Sequence, residues 1–164
     1  MLSKKMLTQL NEQIALEMYS SNLYLAMSSW CAHKGYEGCA AFLYAHAQEE
    51  LAHMHKLFNY VNETGAMAIV PASNQPPSEF NALKPLFETV FSHELSITKA
   101  INVLADTALG EKDYSTFNFL QWYVAEQHEE ERLFKSVLDK LEIIGVDGRG
   151  LYHFDNEMGK LSSK

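Results

Sequence analysis

The chain has 164 residues, 47% of them hydrophobic, and a formal net charge of −8 from 13 basic and 21 acidic side chains. That is enough apolar sequence for one core and too little for two, so a single domain over residues 1–164 is expected. The acidic balance excludes a phosphate-neutralising surface for nucleic acid and favours cations as ligands. No stretch approaches the roughly 18 apolar residues of a membrane span. Met1-Leu2-Ser3-Lys4-Lys5 leads into amphipathic sequence and lacks the apolar core of a signal peptide, which implies a cytoplasmic protein that does not engage a membrane.

Punctuation residues divide the chain into four long helical segments and a tail. Ser3 can cap a first helix that runs to about His33 and ends at Gly35. A second runs from about Glu37 or Gly38 to Thr64 and ends at Gly65. Residues 66 to about 80 contain Pro71, Pro76 and Pro77 and are predicted to be an extended connection. Asn81 can cap a third helix, with Pro85 tolerable in its first turn and Gly110 closing it. Asp113 can cap a fourth that reaches Ile144. Glycines at 145, 148 and 150 then break the chain before Leu151, Phe154, Met158 and Leu161, which are spaced as one face of a short fifth helix. Cys31 and Cys39 flank the first turn, and their surroundings predict buried free thiols used for packing.

Link lengths set the topology. A helix of about 28 residues is about 42 Å long, and a link of roughly 15 residues can stretch to about 50 Å, enough to return along a whole bundle. The short links at Gly35 and Gly110 make antiparallel hairpins. The expected architecture is all-α: two hairpins joined by one long crossover into a four-helix bundle, with a short C-terminal helix added.

Each long helix interrupts its apolar face at its midpoint. On the first, Met6, Leu10, Gln13, Glu17, Tyr24, Met27 and Cys31 share a stripe of three- and four-residue steps. On the second the stripe is Phe42, His46, Glu50, His53, Leu57 and Tyr60, and on the third Phe87, Val90, Glu94, Ile97, Ile101 and Leu104. The fourth carries Leu120, Tyr123, Gln127, Glu130, Phe134, Val137 and Leu141. Midpoints of near-equal antiparallel helices lie at one height, so Glu17, Glu50, His53, Glu94, Gln127 and Glu130 converge in the bundle centre.

Unpaired carboxylates cannot share a buried site without compensation, because desolvation and mutual repulsion both oppose their ionisation. No inward Lys or Arg stands at this height. Two divalent cations would balance Glu17, Glu50, Glu94 and Glu130. Carboxylates with one imidazole suit iron or manganese, and the ligand types also admit zinc. Glu50 and His53, three residues apart, lie on one helix face and can reach one metal. His46 also lies on the apolar face, where a hydrogen-bonded core histidine is the ordinary expectation. In the run Glu129-Glu130-Glu131 successive side chains point about 100° apart, and Glu130 is the inward one.

Several segments carry a family resemblance over essentially the whole chain. Asn11-Glu12-Gln13, Glu17-Met18-Tyr19-Ser20-Ser21, His46-Ala47-Gln48-Glu49-Glu50, Phe117-Asn118-Phe119-Leu120-Gln121-Trp122-Tyr123 and Glu126-Gln127-His128-Glu129-Glu130-Glu131 resemble a bacterial non-haem ferritin. The resemblance implies a ferritin-like fold and a ferroxidase centre. In it Glu17, Glu50 and His53 bind one iron, and Glu50 bridges to a second held by Glu94 and Glu130 with Gln127 close by. It also implies a third iron site at Glu49, Glu126 and Glu129 that shares Glu130, and places Tyr24 as a tyrosine adjoining the centre, with Trp122 a further nearby aromatic. Dioxygen or peroxide would be the oxidant, and a hollow shell of 24 identical subunits would store hydrated ferric oxide. Leu51 stands where bacterioferritins place a haem-ligating Met, and Met54 is out of register, so no haem is expected.

Related bundles offer rival readings. A di-iron oxidase or peroxidase of the rubrerythrin type would need an electron-transfer module, and no cysteine-rich metal motif is present. A DNA-shielding mini-ferritin draws its ligands from between subunits and usually lacks the fifth helix. A metal-free structural bundle leaves the aligned acids unexplained.

Overall fold

The computed structural model describes residues 2–161; Met1 and residues 162–164, which the one-domain reading includes, lie outside the described residues. Five helices follow in order: α1 (Lys4–His33), α2 (Glu37–Glu63), α3 (Leu83–Gly110), α4 (Tyr114–Ile144) and α5 (Gly148–Leu161). No strand occurs among the described residues.

Helix starts and stops follow backbone chemistry. Ser3 caps α1, its Oγ accepting from the Met6 amide at 3.0 Å, and Asp113 caps α4, its Oδ1 accepting from the Thr116 amide at 3.1 Å. The expected cap at Asn81 is corrected: Ala82 is the N-cap of α3, extended at φ −166°, with no side-chain cap bond. Ala82 has no side-chain acceptor, and Pro85 at the third helical position has no N–H that needs one. Gly110 closes the third helix as expected. It is the last residue of α3, and the left-handed residue is Lys112 at φ 58°. The Asp113 amide returns to Ala108 O at 2.9 Å across the turn that follows. The tail also differs, since α5 already begins at Gly148, and only Gly145, at φ 86°, breaks the chain.

The crossover runs along α1. The Ile69 amide donates to Asn11 Oδ1 at 2.7 Å, Asn22 Nδ2 donates to Ser73 Oγ at 2.9 Å, and Phe80 packs edge-on against Trp30 at 5.8 Å. Its contacts therefore move from the N-terminal third of α1 to its C-terminal end, which lets α3 start beside the end of α1.

Helix direction shows in the core, which divides into two apolar clusters. One joins Leu23–Cys31 of α1, Cys39–Ala47 of α2, Leu83–Val90 of α3, Phe134–Leu141 of α4 and Phe154 and Met158 of α5. The other joins Met6–Ile14, Met54–Val61, Ile97–Ala108 and Leu120–Tyr123. The first half of α1 thus meets the second half of α2, as an antiparallel hairpin requires, and α3 and α4 do the same. Between the clusters lies a polar layer.

Helix α5 docks on α2 and α4 by a close backbone approach. Tyr36 gives α2 no side-chain cap, and Asp155 of α5 takes that part: its carboxylate accepts from the Gly38 and Cys39 amides at 3.1 and 2.8 Å. A Cβ on Gly38 would lie 1.9 Å from Asp155 O, so only glycine admits this crossing. Cys31 and Cys39 are buried free thiols, as expected.

Candidate metal centre

The polar layer holds the residues that interrupt each stripe. Glu17, Glu50, His53, Glu94, Gln127 and Glu130 are all buried. One carboxylate oxygen each of Glu17 and Glu50 and one ring nitrogen of His53 lie within 4.8 Å of one another. His53 Nδ1 is 3.5 Å from Glu50 Oε2, the approach that their three-residue spacing allows. Across the bundle, Glu94 receives Tyr24 OH on Oε1 and Gln127 Nε2 on Oε2, the latter at 3.1 Å. Gln13 Nε2 holds Glu17 Oε1 at 2.8 Å, and Tyr123 OH donates to the His53 carbonyl at 2.7 Å. Neutral donors therefore orient the acids without cancelling their charge.

No Lys or Arg forms an ion pair with these acids among the described residues. Burial pushes the Glu17 carboxyl well above the usual range, and repulsion from Glu50 adds to it. Glu50 is raised by burial first and by Glu94 next. Glu130 is pushed up to about 9 by burial, then by Glu94 and the outer acids Glu49, Glu126 and Glu129. Tyr24 keeps its proton far above its ordinary range because it is buried beside Glu94 and Glu50. Glu17 Oε2 and Glu130 Oε2 are buried with no hydrogen-bond partner. Such a set is costly when charged and unpaired, and divalent cations would relieve both burial and repulsion. The donors fit that chemistry: hard carboxylates with a single imidazole.

The expected outer acids divide around Glu49. Glu49, His53 and Glu126 form one ligand group, and His46, Glu49 and Glu130 another. Glu129 is exposed and joins neither, although its charge helps to raise Glu126 and Glu130. Trp122 stacks edge-on against His53 at 5.2 Å, with Lys56 Nζ 3.6 Å over its ring.

One residue plays a part that the sequence reading did not give it. Gln13 steers Glu17, which its four-residue spacing could have suggested. His46 is hydrogen-bonded as expected through Nδ1, which meets Glu49 Oε2 at 3.2 Å, while its buried Nε2 has no partner.

Four helices contribute carboxylates and one imidazole to a buried layer, a helical bundle whose donor groups could hold metal ions. Residues 7–144 match the ferritin family model, described as a ferritin-like domain. The chain is 55% identical to a "Probable bacterial non-heme ferritin-like protein" of Haemophilus influenzae, over all of this chain and 99% of the other. It is 50% identical to the bacterial non-heme ferritin of Escherichia coli, with the same coverage. Its structure is similar to the open pore ferritin of the archaeon Archaeoglobus fulgidus, with TM-score 0.94 and 43% identity over 97% of this chain and 98% of that one. The protein belongs to the ferritin family.

Proposed function

We propose that the protein stores iron, oxidising Fe²⁺ at the bundle centre and mineralising ferric product inside a hollow 24-subunit shell in the cytoplasm. One domain, residues 1–164, would make each subunit. The observation that carries this reading is the buried Glu17–Glu50–His53 group facing Glu94, Gln127 and Glu130, with no Lys or Arg paired to them among the described residues. The names of the relatives, ferritins and non-heme ferritins, support the same reading.

Iron is substrate and cargo here. Glu17, Glu50 and His53 would take one Fe²⁺, and Glu94 and Glu130, with Gln127 near, a second, with Glu50 reaching both. Burial first, and neighbouring acids next, raise the carboxyls of Glu17, Glu50 and Glu130 and so favour their protonated forms when no metal is bound. Fe²⁺ replaces those protons, so binding releases acid and tightens as pH rises. Each ferrous ion then gives one electron to dioxygen, which takes two protons and leaves as hydrogen peroxide; peroxide as oxidant takes two electrons and two protons to give two waters. The protein contributes proximity, by holding both ions beside one oxidant. Tyr24 and Gln127 keep Glu94 oriented throughout.

The two positions are unequal, because the fourth helix supplies Gln127 and Glu130 where a second Glu-x-x-His would give an imidazole. A ligand set without nitrogen holds the second iron more loosely, which suits a site that passes its product onward. Glu49, Glu126 and Glu129, sharing Glu130, would form a third iron site on that route.

Glu50→Ala tests the bridge. Stopped-flow oxidation of Fe²⁺ should lose its rapid phase while helicity and assembly stay unchanged, and His53→Ala should lower the stoichiometry of anaerobic Fe²⁺ titration. Oxidation at the wild-type rate in Glu50→Ala refutes the assignment.

A further inference from the structure

No residue of the centre is more than 5% exposed, so an oxidant has to pass between helices to reach it. A groove of about 250 Å³ lies between α1 and α3, walled by Leu16 of α1 and by Ala100, Val103 and Leu104 of α3. Gln13 lines it as well, and the same side chain donates Nε2 to Glu17 Oε1 at 2.8 Å. Gln13 is 1% exposed, which puts it at the inner end of the groove. The groove therefore reaches a side chain that touches a ligand of the centre.

Its chemistry differs from that of the opposite face of the bundle. Helix α1 packs on α2 and α3, and α3 packs on α4, so the gap between α2 and α4 faces away from this groove. That gap carries Glu49, Glu126 and Glu129, whose carboxylates suit cations. Around the groove Glu12 is offset by Lys99, and the remaining polar groups are the neutral amides of Gln9 and Gln13. An uncharged molecule passes apolar walls without the desolvation cost that a cation meets there.

We propose that the α1–α3 groove admits dioxygen to the centre, with Gln13 the last side chain on its path. This rests on the reading of the centre given above, in which two ferrous ions reduce one dioxygen, whereas the opening itself can be detected without any oxidation. Oxidant then arrives on one face of the bundle while iron leaves toward the acids of the other, so neither obstructs the other. Ala100, partly buried and the smallest of the wall residues, sets the width of the opening.

Crystals of the assembled protein under xenon pressure test the groove directly, because xenon enters apolar cavities as an uncharged atom. The expected result is an anomalous peak against Leu16, Ala100 and Val103 that Ala100→Phe removes. In stopped-flow oxidation of Fe²⁺ at limiting dioxygen, Ala100→Phe should be about tenfold slower than wild type and Ala100→Leu less so, with the deficit recovered as dioxygen is raised. Anaerobic Fe²⁺ titration and helicity should be unchanged in both variants. A groove without xenon, a wild-type rate at limiting dioxygen in Ala100→Phe, or a slowing that more dioxygen does not relieve overturns the proposal. Xenon in the groove of a wild-type protein that shows no rapid oxidation supports the opening and counts against the centre, so the two failures are distinguishable.

Discussion

Replacing Glu130 with glutamine should stabilise the metal-free protein and weaken the metal-bound one. The Glu130 carboxyl ionises at about 9 in the folded chain and at 4.5 when unperturbed. Between those values the unfolded chain has released the proton and the folded chain still holds it. Stability from this group is therefore fully present below the lower value and falls by about 1.4 kcal/mol per pH unit until the upper one is reached. At pH 7 that amounts to roughly 3 kcal/mol. Glu130→Gln keeps the shape and removes the titration, and burying the amide takes back about 1 kcal/mol of the gain. The net of about 2 kcal/mol corresponds to a rise in Tm of roughly 4–8 °C for a chain of this size. Thermal unfolding of chelator-stripped wild type and variant, at pH 5, 6, 7 and 8 and one protein concentration, reads this out. The difference should be near zero at pH 5 and grow with pH, and added Fe²⁺ should reverse it, because wild type alone keeps the full ligand set. A difference that does not grow between pH 5 and pH 8 refutes the reasoning.

Three further outcomes follow from local geometry. Gly38→Ala would drive a Cβ to 1.9 Å from Asp155 O and 2.9 Å from Gly159 N, both backbone, so α5 must leave its seat; trypsin should then cleave after Arg149 within minutes while the helicity of α1–α4 persists, and wild-type resistance would contradict the packing. Lys112→Gly relieves a left-handed residue at φ 58° and should raise stability by about 0.5–1 kcal/mol in urea unfolding, whereas a loss would show that the lysine side chain matters more than its backbone. Burial pushes the Cys31 thiol up to about 12 and Cys39 higher still, so a thiol reagent at pH 8 should label neither in the native protein and both in guanidinium; native labelling of Cys39 would place it at the surface.

Helix periodicity is a local property, and that is why so much of the chain was legible. The stripes through Glu17, Glu50, Glu94 and Glu130 follow from 3.6 residues per turn, and nearly equal helix lengths bring their midpoints to one height. The positions of Ser3, Asp113 and Gly35 mark ends by rules that involve only neighbouring residues. The long crossover was readable from its prolines and its reach.

What the sequence could not determine depends on which groups meet across helices. Nothing near Tyr36 indicates that Asp155, more than a hundred positions away, caps α2, because that contact exists only once two glycine-bearing backbones cross. His46 reads as a core residue from its stripe, and only the packing of Phe42, Phe134 and Glu130 around it leaves one nitrogen without a partner. Asn81 looked like a cap, but the helix begins one residue later, with Ala82 as its N-cap. The raised carboxyls are the clearest case. Glu17, Glu50 and Glu130 are ordinary acids in water, and each becomes costly to ionise only when the tertiary structure strips its solvent and sets other acids beside it.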